Sequence, residues 1–280
     1  TPQRCHYPVT GGAQGVRSWG HHLAACTASN RRPDAAAKPC AIRAMYPSRD
    51  RMVVFDADGT LVDAFQVVEH SFNMLGMDIG DLGRFQRRRK LLKYIGGLRE
   101  FPRNLRRQFD KATRKRIKHT LTEVYRAQAQ LFPGMRDLLS RLIATPDIRV
   151  GIVSRNVTID PEQTLAVVLR RHGLDPEGLD FLRCIPLGDG KSPAFRALRD
   201  EFGINPLRAL ACGDEYKDYE AALAAGMPAL VAAYGFEDQA RLADAYGIPR
   251  ELIVATPQEL AARVLHAFDL DRGASGPATA

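Results

Sequence analysis

The chain has 280 residues, 45% of them apolar, and a formal net charge of +8. That length accommodates one α/β domain with an insertion, and no run of about 18 uninterrupted apolar residues offers a membrane-spanning helix. The five cysteines (Cys5, Cys26, Cys40, Cys184 and Cys212) are odd in number and lack metal-ligand spacing, which argues against a disulfide framework or a zinc site and for thiols in a reducing, cytoplasmic setting.

Charge is unevenly distributed: net +6 over residues 1–51, −3 over 52–63, +10 over 64–132 and −5 over 133–280. Residues 1–51 are rich in Arg, Ala, Pro and Gly, include Trp19, and show no sustained helical or strand period. Three readings stay open for this segment: read-through ahead of a start at Met45 or Met52, an Arg-rich organellar targeting peptide, or a disordered basic tail. All three predict that a chain beginning at Met45 keeps its activity.

From Met52 the chain alternates apolar strands with helical stretches. The pattern predicts a strand over 52–56, a long helical stretch to about Gln130, and a helix through Ile143. Strands over 148–154, 181–187, 207–212, 229–232 and 252–255 follow. Helices over 161–172, 192–202, 216–225, 238–245 and 257–268 alternate with them. Short apolar strands separated by helices of about ten residues predict parallel βαβ units in a doubly wound α/β sheet. The tail from Asp271 is expected to be frayed.

Such sheets place chemistry beyond the carboxyl ends of their strands, and four segments fall there. The first is Phe55-Asp56-Ala57-Asp58-Gly59-Thr60, with alternation turning Asp56 and Asp58 to one side and Gly59 letting the chain bend away. The second, Ser154-Arg155-Asn156, offers a hydroxyl, a guanidinium and an amide, a pattern equally explained by a helix entry. In the third, Lys191 opens a helix behind a Gly-rich turn, where the helix dipole gives a lysine nothing. The fourth, Gly213-Asp214-Glu215-Tyr216-Lys217-Asp218, gathers three acids in five residues, which repel one another without a cation.

In order and separation the four segments resemble the motifs of the haloacid dehalogenase superfamily, a likeness spanning roughly Met52 to Phe268. The resemblance implies a Mg²⁺-dependent phosphatase with Asp56 as nucleophile and Asp58 as general acid and base. It implies Thr60, Ser154, Arg155 and Asn156 around the phosphate, and Lys191 neutralising the transferring group. The metal would be held by Asp56, the Asp58 carbonyl and Asp214, with Asp218 and Glu215 orienting that shell. Carbon-attacking dehalogenases of the superfamily lack an acid at the position of Asp58, so phosphoryl transfer is the implied chemistry.

The segment 64–132 lies where one branch inserts a helical cap, dividing the core into 52–63 and 133–270. Tyr94-Ile95-Gly96-Gly97-Leu98-Arg99 resembles the cap's specificity loop, with Arg99 as a substrate contact, and Leu131-Phe132-Pro133-Gly134-Met135 resembles the return hinge. Together these resemble the phosphoglycolate phosphatase-like branch. The substrate implied is a small anionic phosphorylated metabolite; a phosphosugar mutase and a phosphatase of nucleotide or nucleic-acid ends stay open. The basic runs Arg87–Lys90 and Arg114–Arg116 read as solvated helix faces or as a funnel for an anionic substrate.

Overall fold

The structure, a computed structural model, describes residues 49–75 and 111–271. Contacts divide the chain into Thr1–Met45 and Tyr46–Ala280, and every described residue belongs to the second unit. The basic N-terminal segment through residue 48, the Arg87–Lys90 run, the Tyr94–Arg99 loop and the tail beyond Asp271 lie outside the described residues.

Six parallel strands form the sheet: β1 (Arg51–Phe55), β4 (Ile148–Ser154), β5 (Phe181–Cys184), β6 (Ala209–Gly213), β7 (Ala229–Ala232) and β8 (Ile253–Val254). Their order is β5-β4-β1-β6-β7-β8, every pair parallel. The chain starts in the middle at β1, runs outward through β4 and β5, then returns to β1's other side at β6. Such a reversal opens a crevice beyond the carboxyl ends of β1, β4 and β6.

Strand β1 is apolar at successive positions because both sheet faces are covered. Val53 and Phe55 enter one core; Met52 and Val54 enter the other. Helices α3 (Met135–Ile143), α4 (Pro161–Arg171) and α7 (Pro257–Ala267) cover the first face through Leu138, Leu139, Leu165, Val168, Leu260 and Val264. Helices α5 (Ser192–Glu201) and α6 (Tyr216–Ala224) cover the second through Phe195, Leu198, Ala221 and Ala222. Each large apolar side chain so buried contributes roughly 1.5–3 kcal/mol, which fixes the strand ends relative to one another.

Between β1 and β4 lie α1 (Ala64–Met74) and α2 (Lys111–Gln128), flanked by a two-stranded antiparallel pair, β2 (Val62–Asp63) with β3 (Gln130–Leu131). The stretch expected to be helical to Gln130 is thus bounded by this short pair. Val67 and Val68 of α1 and Leu121, Val124 and Tyr125 of α2 bury into the first-face core. The C-terminal half of α2 is also bonded to the α4 region: Arg126 donates to Thr164 Oγ1 (3.0 Å) and Ile159 O (3.3 Å), and Arg171 donates to Arg126 O (2.7 Å). Among the described residues, no helix is long and apolar enough to cross a membrane.

Three predicted elements differ in extent. Strand β5 stops at Cys184 rather than continuing to Leu187, because Pro186 has no N–H to offer the ladder. The strand predicted from Leu207 starts at Ala209, since Asn205 caps a 3₁₀ turn over Pro206–Arg208. The helix expected over 238–245 contains a widened π-type turn at Arg241–Ala245. Cys184 and Cys212 are free thiols, the first half-buried and the second buried.

Candidate active site

Four loops meet beyond the strand ends. Strand β1 ends at Phe55, and the Asp56 N–H is still held by Cys212 O at 2.8 Å, so β6 fixes where Asp56 emerges. The chain then folds into a tight turn, with Ala57 O accepting from both Leu61 N and Val62 N at 2.9 Å. Asp58 therefore rides on a turn rather than on the continuing strand that alternation predicted. Gly59 adopts φ +83°, and a Cβ there would stand 2.2 Å from Asp214 Oδ2, so both conformation and space demand glycine.

Asp56 and Lys191 make the centre of the site. Lys191, the N-cap of α5 and 2% exposed, puts Nζ 2.7 Å from Asp56 Oδ2 and 2.7 Å from Asp218 Oδ1. Burial alone would lower the lysine, but the charges of Asp218 and Asp56 outweigh it and raise its pKa, so it stays protonated. Asp218 Oδ2 accepts from Asp214 N (3.3 Å) and Glu215 N (3.2 Å) in a capping box that starts α6. Burial would raise Asp218, yet Lys191 and Arg155 prevail and hold it below the usual carboxylate range.

Asp214 is fully buried at the end of β6. Its Oδ2 accepts from Phe236 N at 2.6 Å, while Oδ1 has a long contact, 3.4 Å, from the Thr60 hydroxyl. Burial, then the charges of Asp56 and Asp218, push Asp214 well above its ordinary value. Asp56 is raised too, by burial and Asp218 against the opposing pull of Lys191. One carboxylate oxygen each from Asp56, Asp214 and Asp218 lie within 4.8 Å of one another. Crowded buried carboxylates fit a hard divalent cation, which takes oxygen ligands. Each of the three already has protein partners on its oxygens, Asp56 from Ala57 N at 2.7 Å and Lys191, Asp214 from Phe236 N and Thr60, and Asp218 from Lys191 and two backbone N–H groups.

The remaining predicted residues divide. Ser154 ends β4 with its hydroxyl buried and without a hydrogen-bond partner among the described residues, which leaves an unsatisfied donor at the strand's carboxyl end. Arg155 pairs with Glu215 Oε2 at 2.8 Å and lies 3.9 Å from Asp218 Oδ1, which places it behind the carboxylates. Asn156 Nδ2 donates to Asp58 Oδ2 at 3.0 Å. The Thr60 hydroxyl faces Asp214, and its carbonyl accepts from Tyr234 OH at 2.8 Å. Arg99 lies outside the described residues.

Two contributors went unseen in the sequence. Tyr125 of α2 donates its hydroxyl to Asp58 Oδ1. Burial raises Asp58 to about 6, with Asp56's charge adding to it and the hydrogen bonds from Tyr125 and Asn156 opposing. The other contributor is the loop Tyr234-Gly235-Phe236 after β7, which supplies the Phe236 N–H to Asp214. A Cβ on Gly235 would stand 2.4 Å from both Asp214 Oδ2 and Gly59 O. A glycine just past a parallel strand was the available signal for that loop.

The buried lysine and the clustered carboxylates thus lie at the switch point of a doubly wound sheet, where such folds place their ligands. A sequence profile described as haloacid dehalogenase-like hydrolase matches residues 51–226. The phosphoglycolate phosphatase of Rhodospirillum rubrum is 30% identical, over 74% of this chain and 96% of its own length. That of Synechococcus elongatus is 28% identical, over 74% and 94%. Among solved structures, a haloacid dehalogenase-like family hydrolase from Streptococcus pneumoniae covers 77% of this chain and 99% of its own, with TM-score 0.53 and 22% identity. CbbY from Rhodobacter sphaeroides, solved in complex with phosphate, covers 75% and 96%, with TM-score 0.56 and 22% identity. The chain belongs to the haloacid dehalogenase-like hydrolases, as a phosphatase of the phosphoglycolate phosphatase-like branch.

Proposed function

We propose that the chain is a Mg²⁺-dependent phosphatase of a small phosphorylated metabolite, of the phosphoglycolate or sugar-phosphate kind, working through an aspartyl-phosphate on Asp56. The observation that carries this reading is the Lys191 ammonium, 2.7 Å from Asp56 and from Asp218, beside the clustered carboxylates of Asp56 and Asp214. The matched phosphoglycolate phosphatases support the substrate class.

Asp56, the Asp58 carbonyl and Asp214 would hold the Mg²⁺, with Asp218 and Glu215 orienting that set. When bound, the ion neutralises phosphoryl oxygens that would otherwise repel an anionic nucleophile. Asp56 attacks phosphorus as the bond to the ester oxygen breaks, and Asp58 gives that oxygen its proton. Asp58 then takes a proton from water, whose oxygen attacks the aspartyl-phosphate, releasing inorganic phosphate and restoring Asp56. Lys191 and the Ser154 hydroxyl bind the transferring group through both steps. Arg155 braces Glu215 and Asp218, and Thr60 orients Asp214.

The test is phosphate release from a panel of phosphorylated metabolites and 5′-phosphorylated oligonucleotides, with and without Mg²⁺ and with Asp56→Asn as control. Turnover of two- and three-carbon or sugar phosphates that requires both Mg²⁺ and Asp56 is expected. Activity persisting in Asp56→Asn would overturn the nucleophile assignment, and preference for oligonucleotide ends would overturn the substrate class.

A further inference from the structure

We propose that Tyr125 and Asn156 together form a clamp that positions the Asp58 carboxyl for proton transfer, with Tyr125 brought to the site by a helix of the inserted segment. The inference rests on the phosphatase reading above and adds to it a positioning residue on α2.

The geometry is specific. Asp58 has one partner on each oxygen, Tyr125 OH at Oδ1 and Asn156 Nδ2 at Oδ2. The orientation of the Asn156 amide is fixed independently, because its Oδ1 accepts from Thr158 N at 2.9 Å and so turns Nδ2 toward Asp58. An amide NH₂ can only donate, which keeps Oδ2 an acceptor. A phenol can donate or accept, so Oδ1 is the oxygen free to give up or take a proton while its neighbour stays satisfied.

The clamp is braced as one unit. Tyr125 is 3% exposed and lies in the first-face core. Thr122, three residues earlier on α2, accepts the Ile159 N–H at 2.8 Å, and Arg126 donates to Ile159 O and Thr164 Oγ1. Ile159 belongs to the same loop as Asn156 and Thr158. Both donors to Asp58 therefore come from segments bonded to each other, 67 and 98 residues from it along the chain. The competing account is that a buried tyrosine needs some acceptor and Asp58 is the nearest. That account predicts no effect tied to the leaving group.

The experiment compares kcat/KM of wild type and Tyr125→Phe in Mg²⁺ for two esters: the best alkyl phosphate from the substrate panel, and 2,4-dinitrophenyl phosphate, whose phenolate leaves without a proton. Because kcat/KM reports steps through departure of the leaving group, it isolates the proton donation. A loss of about 10–100-fold is expected on the alkyl phosphate, part of the 10²–10⁴ that general acid catalysis supplies, against less than about twofold on the dinitrophenyl ester. In an Asp58→Asn background the additional loss from Tyr125→Phe should vanish, as required of a residue acting through Asp58. Asn156→Ala removes the other donor, is expected to be selective in the same sense, and carries the test if Tyr125→Phe does not fold. Equal losses on both esters, or none on either, overturn the clamp. A wild type inert toward both esters overturns the phosphatase reading, and the clamp with it.

Discussion

At the ends of β1, β6 and α5, the Asp56 carboxylate sits among ions, with Lys191 at 2.7 Å and the carboxylates of Asp214 and Asp218 alongside. Two residues on, Asp58 meets two uncharged donors, Tyr125 and Asn156, supplied by α2 and the loop after β4. Both groups are buried, so the difference lies in what opposes burial. Lys191 opposes it at Asp56, and a divalent cation would add to that effect. At Asp58 the hydrogen bonds from Tyr125 and Asn156 oppose it, with the charge of Lys191 a smaller pull, and burial wins, leaving that carboxyl near 6. Burial raises both carboxyls, but Asp56 has a contacting counter-charge that favours the anion needed for attack, whereas Asp58 has uncharged partners that leave it to exchange a proton near neutrality.

The largest effects should come from the ionic side. Asp56→Asn removes the nucleophile, and turnover in a phosphate-release assay should fall by at least ~10³-fold, since such machinery works as a unit. Lys191→Met is expected to cost activity and stability together. Turnover should fall about 10²–10³-fold through loss of a preorganised charge on the transferring group. Without Mg²⁺, the variant should lose roughly 3–5 kcal/mol in urea unfolding, because the buried Asp56 carboxylate loses its contacting counter-charge and Asp218 keeps only Arg155, at 3.9 Å. An unfolding midpoint equal to wild type would show that Lys191 is not the counter-charge its position makes it.

These two regions also differed in how far the sequence revealed them. Asp56, Ser154, Lys191 and Asp214 each follow an apolar strand or a Gly-rich turn, so strand-end logic placed them together before any coordinates. The six strands followed from the same alternation, whereas their order in the sheet came from the structure. Tyr125 could not be found that way: among Ile117, Leu121 and Val124 on α2 it reads as one more core residue, and only tertiary packing aims its hydroxyl at Asp58. Arg155 and Thr60 were visible as polar groups beside the motifs. What the residue types could not show is that one faces Glu215 and the other Asp214. Side-chain direction off a turn has no sequence period to read.

The uncharged side predicts a pH dependence of stability. In Mg²⁺-free protein, Asp58 has a folded pKa of about 6 against an ordinary 3.8. Its favourable contribution is therefore complete below about 3.8 and is lost as pH rises through 6. Asp58→Asn has no such loss, so its stability relative to wild type should rise between pH 4 and pH 7 by up to about 3 kcal/mol, at 1.36 kcal/mol per pKa unit. Thermal melts across that range check this, and a pH-independent difference would contradict the burial account of Asp58.

The smallest predicted effect separates the two regions most cleanly. Gly235→Ala puts a methyl group where Asp214 Oδ2 and Gly59 O each stand 2.4 Å away, so Asp214 must shift, and with it the Phe236 N–H bond. Displacing a group that orients a metal ligand costs about 10–100-fold in metal affinity or activity. The Mg²⁺ concentration for half-maximal turnover should therefore rise at least about tenfold, with melting in the absence of metal changed far less. Tyr125 and Asn156 touch neither Gly235 nor Asp214 through any bond described above, so the ratio of alkyl to dinitrophenyl ester turnover at saturating Mg²⁺ should stay at its wild-type value. If that ratio moved with Gly235, Asp58 would be answering to the metal-side carboxylates, and the division of the site into an ionic and an uncharged half would fail.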